Sequence, residues 1–555
     1  MSVKVSIAIA AVSAVVSISS PAASAQWVNT ATQGTNLVSA TDLGAVTGVK
    51  SITVRVGLAI QNKPALLNFV KEVNDPSSSI YGQYLTPAQF KAEYSPTAAQ
   101  VNQVTTYLQS KGLTGITVEP NNLLISATGN PVDVAAAFNT TIHQFNVGGK
   151  TFYANINHVQ VPLALNHLVV AVLGLNDASY MQLSPIQRSA YTPASPGISI
   201  PNYPASYEPG QFWWAYDAEH VAAASNATIA IFAEGDLTQV VKDLRLEETA
   251  YKVKWVPYQI MPVGIPSPDT SGADEWDLDT QYSSGMAKAV KELYIYDTTS
   301  LSDSDTALEF SHFVTDDLAK AGSASFGECE LFPYIDGAMV VDDMTFLQAA
   351  SQGQTVFASA GDTGAACAVA PTNGVPGGPP FVNYPASSEY VVAVGGTTLV
   401  TNPDYTYNQE IAWYAGGGGI SQFEGAPYWQ TAAGVPSSND NARGVPDIAM
   451  DADPYSGANV YVDGVVEQVG GTSLSSPLAL GVWARMISLN PKLGFASPRL
   501  YHLYDGSSIP PSYLTKGFHD IIVGDNVPYP ALPGYDYDTG LGTFDVQQLV
   551  YNLVP

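Results

Sequence analysis

The sequence predicts an α/β protein: a large domain with a mostly parallel central sheet, preceded by a smaller α+β domain. In residues 211–555, short apolar strands alternate with helical segments, which is typical of a parallel sheet packed against helices. In residues 26–187, strands, short helices and a hairpin follow each other without that regular alternation. Residues 188–210, rich in proline and serine, are predicted to be a linker where a proteolytic cut would separate the two domains.

The chain begins with a segment typical of a secretory signal peptide. Lys4 gives a short basic start, residues 5–16 form a mostly apolar run, and Ala23-Ser24-Ala25 has the small residues of a cleavage site. A membrane anchor is the alternative, although the apolar run is short for a bilayer span. We therefore predict that residues 1–25 direct secretion and that the mature protein has no membrane anchor.

The α+β domain has clear helix and strand signals but no catalytic constellation. Thr86 precedes a proline and a helical pattern, as a helix cap does, and Gly148-Gly149 is typical of a hairpin turn. Its histidines are scattered along the sequence, which favours core or surface positions over a ligand set. The predicted elements are strands at 52–59 and 123–127, helices at 64–73, 87–90, 98–111 and 131–138, and a hairpin at 141–154.

The strands of the large domain indicate where its functional side chains lie. Glu234, Gly327 and Asp362 each fall at or just past the end of a predicted strand. Because ligands bind at the carboxyl ends of parallel strands, these residues are expected at one edge of the sheet. The predicted strands are 225–234, 293–296, 323–327, 355–359 and 390–394, with helices at 307–321 and 346–352.

The charge balance excludes some classes of partner. Acidic residues outnumber basic ones 49 to 21, which gives a formal charge of −28 and argues against binding to nucleic acids or anionic membranes. Charged residues make up only 13% of the chain. Because few basic groups remain to repel one another when the carboxylates are protonated, this composition suits an acidic environment.

Ser473 is a candidate nucleophile. It follows Gly470-Gly471-Thr472, where a loop enters an apolar helix predicted over 474–486. The glycines permit a sharp turn, and the helix N-terminus favours nearby negative charge, as acyl transfer to serine requires. The alternative is that Thr472 or Ser473 only caps a core helix. A catalytic role therefore needs a base from elsewhere in the chain.

Two carboxyl groups are the candidate base. The histidines of the large domain lack the sequence context expected of a histidine triad. Glu275 and Asp279, four residues apart in a helical pattern, share a helix face. Such a pair can share one proton, so that one carboxyl accepts a proton from serine while the other orients it. An acidic first turn that faces solvent and complements the helix dipole is the alternative.

Three motifs, in order, carry a family resemblance. Glu275-x-x-x-Asp279, Gly361-Asp362-Thr363-Gly364 and Gly471-Thr472-Ser473-x-x-x-Pro477 resemble those of the sedolisins, the serine-carboxyl peptidases. Residues 85–90 and 122–129 resemble the activation domain of that family, so the resemblance covers nearly everything after the signal. It implies a subtilisin-like catalytic domain in 211–555, and a propeptide in 26–187 that acts as an intramolecular inhibitor.

The resemblance also implies roles for individual residues. Ser473 is the implied nucleophile, Glu275 the general base and then acid, and Asp279 the residue that orients Glu275. Asp362 takes the place of the usual oxyanion-hole amide, and because it donates a hydrogen bond only when protonated, it ties activity to acid pH. An Asx turn is the alternative for Asp362. Glu234 matches a glutamate that extends the hydrogen-bond chain in some members.

One Ca²⁺ site is implied as well. Residues 518–524 and 533–542 resemble the calcium loop of the family, and Ca²⁺ prefers carboxylate and carbonyl oxygens. Two Gly/Asp turns without a metal are the alternative. The implied ligands are the carboxylates of Asp520 and Asp536 and the carbonyls of Ile521, Leu532 and Gly534, with Leu532 at a position where the family commonly has glycine.

The chain has two cysteines, Cys329 and Cys367. In an oxidising compartment they can pair, and two separate buried thiols are the alternative. Cys367 lies five residues after Asp362. If the two strand ends meet, a disulfide would brace the loop that carries Asp362.

The features together predict a secreted, acid-active endopeptidase that hydrolyses proteins and peptides through an acyl-enzyme on Ser473. We expect a monomer that binds neither nucleic acid nor membranes. A tripeptidyl-peptidase of the same family is one alternative. A catalytically silent secreted binding protein on the same fold is the other, and the presence of all four implied catalytic residues argues against it.

Overall fold

The computed structural model describes residues 26–35, 40–147, 149–178, 180–183, 186–187, 206–367, 378–504 and 516–554. The predicted signal peptide and residues 188–205 of the predicted linker lie outside the described residues. Within the described ranges, no helix combines the length and apolar character that a membrane span needs.

Within the described residues, the N-terminal domain has three antiparallel sheets and four α-helices. Its strands are β1 (Trp27–Asn29), β2 (Thr41–Ala45), β3 (Ile52–Leu58), β4 (Thr114–Val118), β5 (Leu124–Gly129), β6 (Ile142–Val147), β7 (Lys150–Asn155), β8 (Gln160–Pro162) and β9 (Val169–Leu173). Its helices are α1 (Lys63–Val73), α2 (Pro87–Tyr94), α3 (Ala98–Ser110) and α4 (Pro131–Ala137). The larger sheet has the order β4-β5-β3-β9, and β6 and β7 form the predicted hairpin.

The predicted cap at Thr86 is confirmed and is part of a capping box. The Gln89 amide donates to the Thr86 hydroxyl at 3.3 Å, and the Thr86 amide donates to the Gln89 side chain at 2.8 Å. Two short strands, β10 (Gln182–Leu183) and β11 (Ile186–Gln187), then lead toward the large domain.

The large domain contains the remaining elements. Its helices are α5 (Pro209–Ala215), α6 (Val240–Ala250), α7 (Ala273–Ala287), α8 (Asp303–Asp316), α9 (Leu331–Asp336), α10 (Ala338–Ser351), α11 (Tyr428–Ala433), α12 (Thr472–Leu489), α13 (Ala496–Leu503) and α14 (Val546–Leu553). Its strands are β12 (Thr228–Glu234), β13 (Tyr258–Val263), β14 (Glu292–Thr298), β15 (Ala321–Ala324), β16 (Phe326–Cys329), β17 (Thr355–Ser359), β18 (Asn383–Tyr384), β19 (Val391–Thr401), β20 (Tyr407–Ala412), β21 (Gly419–Ile420), β22 (Gly444–Val445), β23 (Ile448–Asp451), β24 (Ala458–Val462), β25 (Val465–Gly470), β26 (Phe518–His519) and β27 (Thr543–Phe544).

The mostly parallel central sheet is confirmed. Its strand order is β13-β14-β12-β15-β17-β19-β20, and β23 also pairs with β19. All of these pairs are parallel except β19 with the edge strand β20. Helices α7 and α12 pack against each other, and α8 packs against α10, which also contacts α1 and β9 of the N-terminal domain. The hydrophobic core of the large domain continues into that contact.

Some predicted boundaries were wrong. The helix predicted over 307–321 is Asp303–Asp316, because the apolar residues near 321 belong to β15. The helix predicted to begin at 346 begins at Ala338. The two turns before residue 346 are also helical and bury Met339, Asp342 and Met344. The strand predicted over 323–327 is divided at Ser325, where the chain passes from β15 to β16.

Candidate active site

Ser473 lies in the first turn of α12, fully buried. Gly471 precedes the helix with φ +113°, a left-handed conformation that favours glycine and allows the sharp entry predicted from the sequence. The first amide groups of α12 have no helical partners, so they favour negative charge near Ser473.

Glu275 and Asp279 lie one turn apart on α7, the helix that packs against α12. Both side chains are fully buried, so the solvent-facing acidic turn considered from the sequence is wrong. Burial first, and then the charge of Asp279, raises the pKa of Glu275 well above its usual range, while the nearby Ser473 hydroxyl lowers it. The packing of the two helices therefore places a serine beside a pair of buried carboxyls.

The hydroxyl of Ser473 does not make a hydrogen bond of normal geometry to Glu275. Neither carboxyl oxygen of Glu275 has a hydrogen-bond partner of normal geometry among the described residues. The Ser473 Oγ instead donates a long hydrogen bond of 3.4 Å to the carbonyl oxygen of Ser325. Catalytic hydrogen bonds are often long without substrate and shorten in the reacting complex, so this geometry is compatible with proton transfer to Glu275.

Asp279 is held by one serine hydroxyl. The Ser325 Oγ donates to Asp279 Oδ1 at 2.5 Å, and Oδ2 has no partner among the described residues. Burial raises the pKa of Asp279 well above its usual range, and the Ser325 hydrogen bond lowers it. A buried, interacting pair of this kind holds one proton between two carboxyls over a wide pH range.

Asp362 lies on the loop after β17 and is attached to the start of α12. Its Oδ1 accepts hydrogen bonds from the Thr472 amide at 2.8 Å and the Thr472 hydroxyl at 2.7 Å. Its Oδ2 is buried without a partner among the described residues. Burial raises the pKa of Asp362 to about 7, against the lowering effect of Thr472. Oδ2 can therefore carry a proton and donate a hydrogen bond to a developing oxyanion.

Gly361 allows this loop to approach its neighbours. It has φ +108°, and a side chain there would collide with the Asn383 amide group. The Gly361 amide donates to the Thr472 hydroxyl at 3.0 Å, which links the loop to α12 a second time. Thr472 was interpreted from the sequence only as a possible cap, and its role in holding Asp362 was missed.

Two described parts of the segment between the domains, residues 182–183 and 186–187, pair with strands next to Ser473. Gln182 and Leu183 of β10 pair antiparallel with Gly327 and Phe326 of β16, and β11 pairs antiparallel with the end of β25. The paired strands lie close to Ser473, because β25 ends three residues before it and Ser325, which precedes β16, accepts a hydrogen bond from its hydroxyl. Backbone pairing of this kind is how extended peptides bind at sheet edges. The described residues on both sides of 184–185 therefore pair with these strands in the way that an extended peptide would.

Within the described part of the chain, Glu234 makes no hydrogen bond to Glu275 or Asp279 through its carboxyl. It ends β12, as predicted. Burial, followed by the charges of Asp269 and Asp297, raises the pKa of Glu234 to about 7. Its carbonyl accepts a hydrogen bond from the Trp276 indole at 2.8 Å, so Glu234 contacts α7 through the backbone rather than through the predicted carboxyl chain.

Cys329 and Cys367 form a disulfide. The bond connects the end of β16 with the loop that carries Asp362, and it closes a sequence separation of 38 residues. The predicted meeting of the two strand ends therefore occurs. Closing such a loop reduces the conformational freedom of the unfolded chain around the site.

The five implied calcium ligands lie in one cluster of loops. The Gly534 amide donates to Asp520 Oδ1 at 3.2 Å, and the Leu532 amide donates to Asp536 Oδ2 at 2.8 Å. No described residue donates a hydrogen bond to the carbonyl oxygens of Ile521, Leu532 or Gly534. Two carboxylates and three available carbonyls match the oxygen ligands that Ca²⁺ prefers.

Three of the four histidines of the large domain contact residues other than Ser473, and the fourth, His502, is exposed on α13. The His312 ring lies 3.5 Å from Glu119 of the N-terminal domain, and the His519 ring stacks on Tyr407. The His220 ring packs edge-on against Trp214. The Ser473 hydroxyl donates to the Ser325 carbonyl oxygen and lies near Glu275, whose pKa it lowers. The structure thus offers carboxyl groups, not an imidazole, beside the serine.

Two family profiles match the chain. Residues 39–178 match the Pro-kumamolisin activation domain, and residues 265–502 match the subtilase family. The first range falls within the N-terminal domain, and the second includes α7, Asp362 and Ser473.

Individual proteins are similar over most of the chain. Sedolisin of Pseudomonas sp. (strain 101) is 36% identical over 520 residues, which span 89% of this chain and 86% of sedolisin. Xanthomonalisin of Xanthomonas sp. (strain T-22) is 34% identical over 92% of this chain and 66% of its own length. Tripeptidyl-peptidase 1 of Rattus norvegicus is 27% identical over 92% of this chain and 93% of its own length. The solved structure of Pseudomonas sedolisin, a serine-carboxyl proteinase complexed with two molecules of pseudo-iodotyrostatin, superposes with a TM-score of 0.58 over 63% of this chain and 98% of that chain, at 34% identity.

Proposed function

The chain belongs to the sedolisin family of serine-carboxyl peptidases, and from this premise we propose that it is a secreted, acid-active endopeptidase made as a zymogen. The observation that carries the proposal is the buried pair Glu275 and Asp279 beside Ser473, with the free oxygen of Asp362 at the start of the same helix. These groups supply a nucleophile, a base and a hydrogen-bond donor for acyl transfer.

The proposed reaction begins when the Ser473 Oγ attacks the peptide carbonyl carbon. Its proton passes to Glu275, and the carbonyl oxygen, now negative, accepts a hydrogen bond from protonated Asp362. Glu275 then donates its proton to the leaving amine as the C–N bond breaks, which leaves an acyl-enzyme on Ser473. Water then attacks the ester carbonyl and gives a proton to Glu275. Glu275 returns that proton to the Ser473 Oγ as the C–O bond to the serine breaks and the product acid is released.

The acid dependence follows from Asp362. Its carboxyl donates a hydrogen bond only in the protonated form, and its pKa is about 7. The donor is therefore present below that pH and is lost as the pH rises through it. A carboxyl base, in turn, stays useful at a pH where an ordinary histidine would be protonated.

Two observations support an endopeptidase rather than a tripeptidyl-peptidase. Residues 182–183 pair with β16 close to Ser473, and the chain before them continues to Tyr180, which bridges to Ser302. A groove that holds a continuous chain on this side suits cleavage far from a chain end. Sedolisin and xanthomonalisin are also more similar to this chain than the tripeptidyl-peptidase is.

A matched pair of peptides tests this proposal. We expect the acid-treated enzyme to cut a 20-residue peptide with a free amino group and its N-acetylated twin at the same internal bonds and at similar rates. Mass spectrometry of early products measures the fragments. Successive three-residue fragments from the free peptide, with the acetylated twin intact, would establish the tripeptidyl-peptidase alternative instead.

The proposal includes one Ca²⁺ held by the carboxylates of Asp520 and Asp536 and the carbonyls of Ile521, Leu532 and Gly534. When bound, the ion would tie together two loops that are otherwise joined by the hydrogen bond from the Gly534 amide to Asp520, whereas the bond from the Leu532 amide to Asp536 lies within one loop. These loops pack through Ile521 against Ala412 and Ala531, and none of the five ligands takes part in the proposed acyl transfer. We therefore assign the ion a structural role.

Removal of Ca²⁺ is expected to lower thermal stability. A ligand that binds only the folded state at 100 times its Kd contributes about 2.7 kcal/mol, which corresponds to a fall in Tm on the order of 5 °C when a chelator removes it. Calorimetry with EGTA, then with excess Ca²⁺, measures the shift at neutral pH. Asp536→Asn should abolish the response, whereas Asp525→Asn, an exposed carboxylate between the two loops, should keep it. A wild-type Tm that changes with neither EGTA nor Ca²⁺ would contradict the proposed calcium site.

A further inference from the structure

Ser325 connects the carboxyl pair with the nucleophile. It lies at the junction of β15 and β16, and only 1% of its surface is exposed. Its hydroxyl donates to Asp279 Oδ1 at 2.5 Å and lies 3.4 Å from the Ser473 carbonyl oxygen. Its own carbonyl oxygen accepts from the Ser473 hydroxyl at 3.4 Å. One buried residue therefore contacts both the second carboxyl of the pair and the serine.

We propose that Ser325 is a positioning residue that orients Asp279 for the shared-proton pair with Glu275. The inference rests on the proposed function, because it assigns a task within that reaction. Ser325 acts through Asp279, and the proposed reaction requires no contact between Ser325 and the substrate. Its contribution should therefore appear in the chemical step and in the titration of the pair.

Asp279 depends on Ser325 for its hydrogen bonding. Both of its oxygens are buried, and the hydroxyl of Ser325 is the one donor to Asp279 among the described residues. With Oδ1 occupied by that donor, the proton shared with Glu275 is directed to Oδ2. Without Ser325, both oxygens would be equivalent and the carboxyl could rotate away from a productive geometry.

The same contact has a defined effect on titration. A hydrogen bond from a hydroxyl stabilises a carboxylate more than a carboxylic acid, so Ser325 lowers the pKa of Asp279. When the donor is removed, the fully protonated pair persists to higher pH. The active form, in which the pair carries one negative charge, then appears at higher pH, and the acid limb of the rate profile moves upward.

Ser323 provides a matched control. It precedes Ser325 by two residues, is equally buried in β15, and its hydroxyl pairs with the Ser476 hydroxyl at 2.7 Å. It makes no hydrogen bond to Asp279 among the contacts of the described residues. Loss of a buried hydroxyl as such would therefore affect Ser323→Ala and Ser325→Ala alike, whereas a positioning role affects only the second.

The test compares full-length precursors after acid incubation, each normalised to its titrated active sites. For Ser325→Ala we expect kcat to fall about 10- to 100-fold, the range for a lost hydrogen bond to a charged group, with KM unchanged and the acid limb at higher pH. Ser323→Ala should keep the wild-type acid limb. Ser325→Cys, which retains a weaker donor of similar size, should shift in the same direction by less.

Several outcomes would overturn the proposal. One is that Ser325→Ala has the same pH profile and the same kcat as the wild-type enzyme. Another is an equal shift of the acid limb in Ser323→Ala, which would indicate a packing effect. If Ser325→Ala does not fold, as judged by its thermal transition, a wild-type acid limb in Ser325→Cys would count against the role. Failure of the proposed function is distinguishable, because the wild-type protein itself would then be inactive in acid.

Discussion

Replacement of Ser473 by alanine is expected to abolish both peptide hydrolysis and self-processing in acid. Removing the nucleophile of a serine peptidase costs on the order of 10⁴- to 10⁶-fold in kcat, because only binding and oxyanion stabilisation remain. The fully buried Ser473 contributes a hydroxyl and nothing larger to its packing, so the fold should persist. Hydrolysis of a protein substrate from pH 2 to 8, with the size of the precursor followed on gels, measures both effects.

Ser475→Ala is the control for Ser473→Ala. Ser475 lies two residues further along α12, is also fully buried, and its hydroxyl donates to backbone carbonyls of β23 at 3.2 Å. It should process and hydrolyse like the wild type. Processing of the isolated Ser473→Ala precursor at the wild-type rate would mean that another residue is the nucleophile. Cutting of that precursor only after mature wild-type enzyme is added would show instead that maturation can proceed between molecules.

Much of the fold was predictable because its signals are local. The apolar run of α12, the four-residue spacing of Glu275 and Asp279, and the cap at Thr86 each involve residues within one or two turns. Local patterns also predicted the alternation of strands and helices, and hence the parallel sheet. Their boundaries were less predictable, since the ends of α8 and α10 depend on which neighbours bury the flanking residues.

The contacts that define the site were not predictable from local patterns. Ser325 reaches Asp279 across 46 residues of sequence, and Thr472 reaches Asp362 across 110. Whether the carboxyls on α7 face solvent or another helix is likewise decided by the packing of α12. A serine two residues before Gly327 at a strand end was the one available signal for Ser325, and it is weak by itself.

Buried carboxyl groups outside the site also favour the folded state in acid. Burial raises the pKa of Glu247 and Asp277 to about 9, of Glu328 to about 8 and of Glu410 to about 7. Each group is raised above its unfolded value, so the folded state gains from the neutral form at low pH. That gain is fully present below the unfolded pKa of about 4 and is lost progressively as the pH rises from there to about 7 to 9. The fold is therefore better suited to acid than to alkaline conditions, independently of the catalytic groups.

Asp362 is expected to give the second large effect, and its two substitutions should differ. Asp362→Ala removes the hydrogen-bond donor for the oxyanion and should lower kcat about 10²- to 10³-fold at acid pH. Asp362→Asn keeps an oxygen for Thr472, which donates to Oδ1 at 2.8 and 2.7 Å, and places an amide nitrogen where Oδ2 lies. The asparagine variant should therefore retain most of its activity in acid.

The pH profile separates the donor role of Asp362 from a purely structural one. With a pKa of about 7, the aspartic acid loses its proton, and with it the donor, as the pH rises through that value. An asparagine does not titrate, so the alkaline limb of kcat in Asp362→Asn should move to higher pH, up to the limit set by Glu275 and Asp279. The profile of kcat from pH 3 to 9 for both variants measures this shift. An asparagine variant as inactive as the alanine variant, or one with the wild-type alkaline limb, would mean that Asp362 matters for its attachment to Thr472 and not as the donor to the oxyanion.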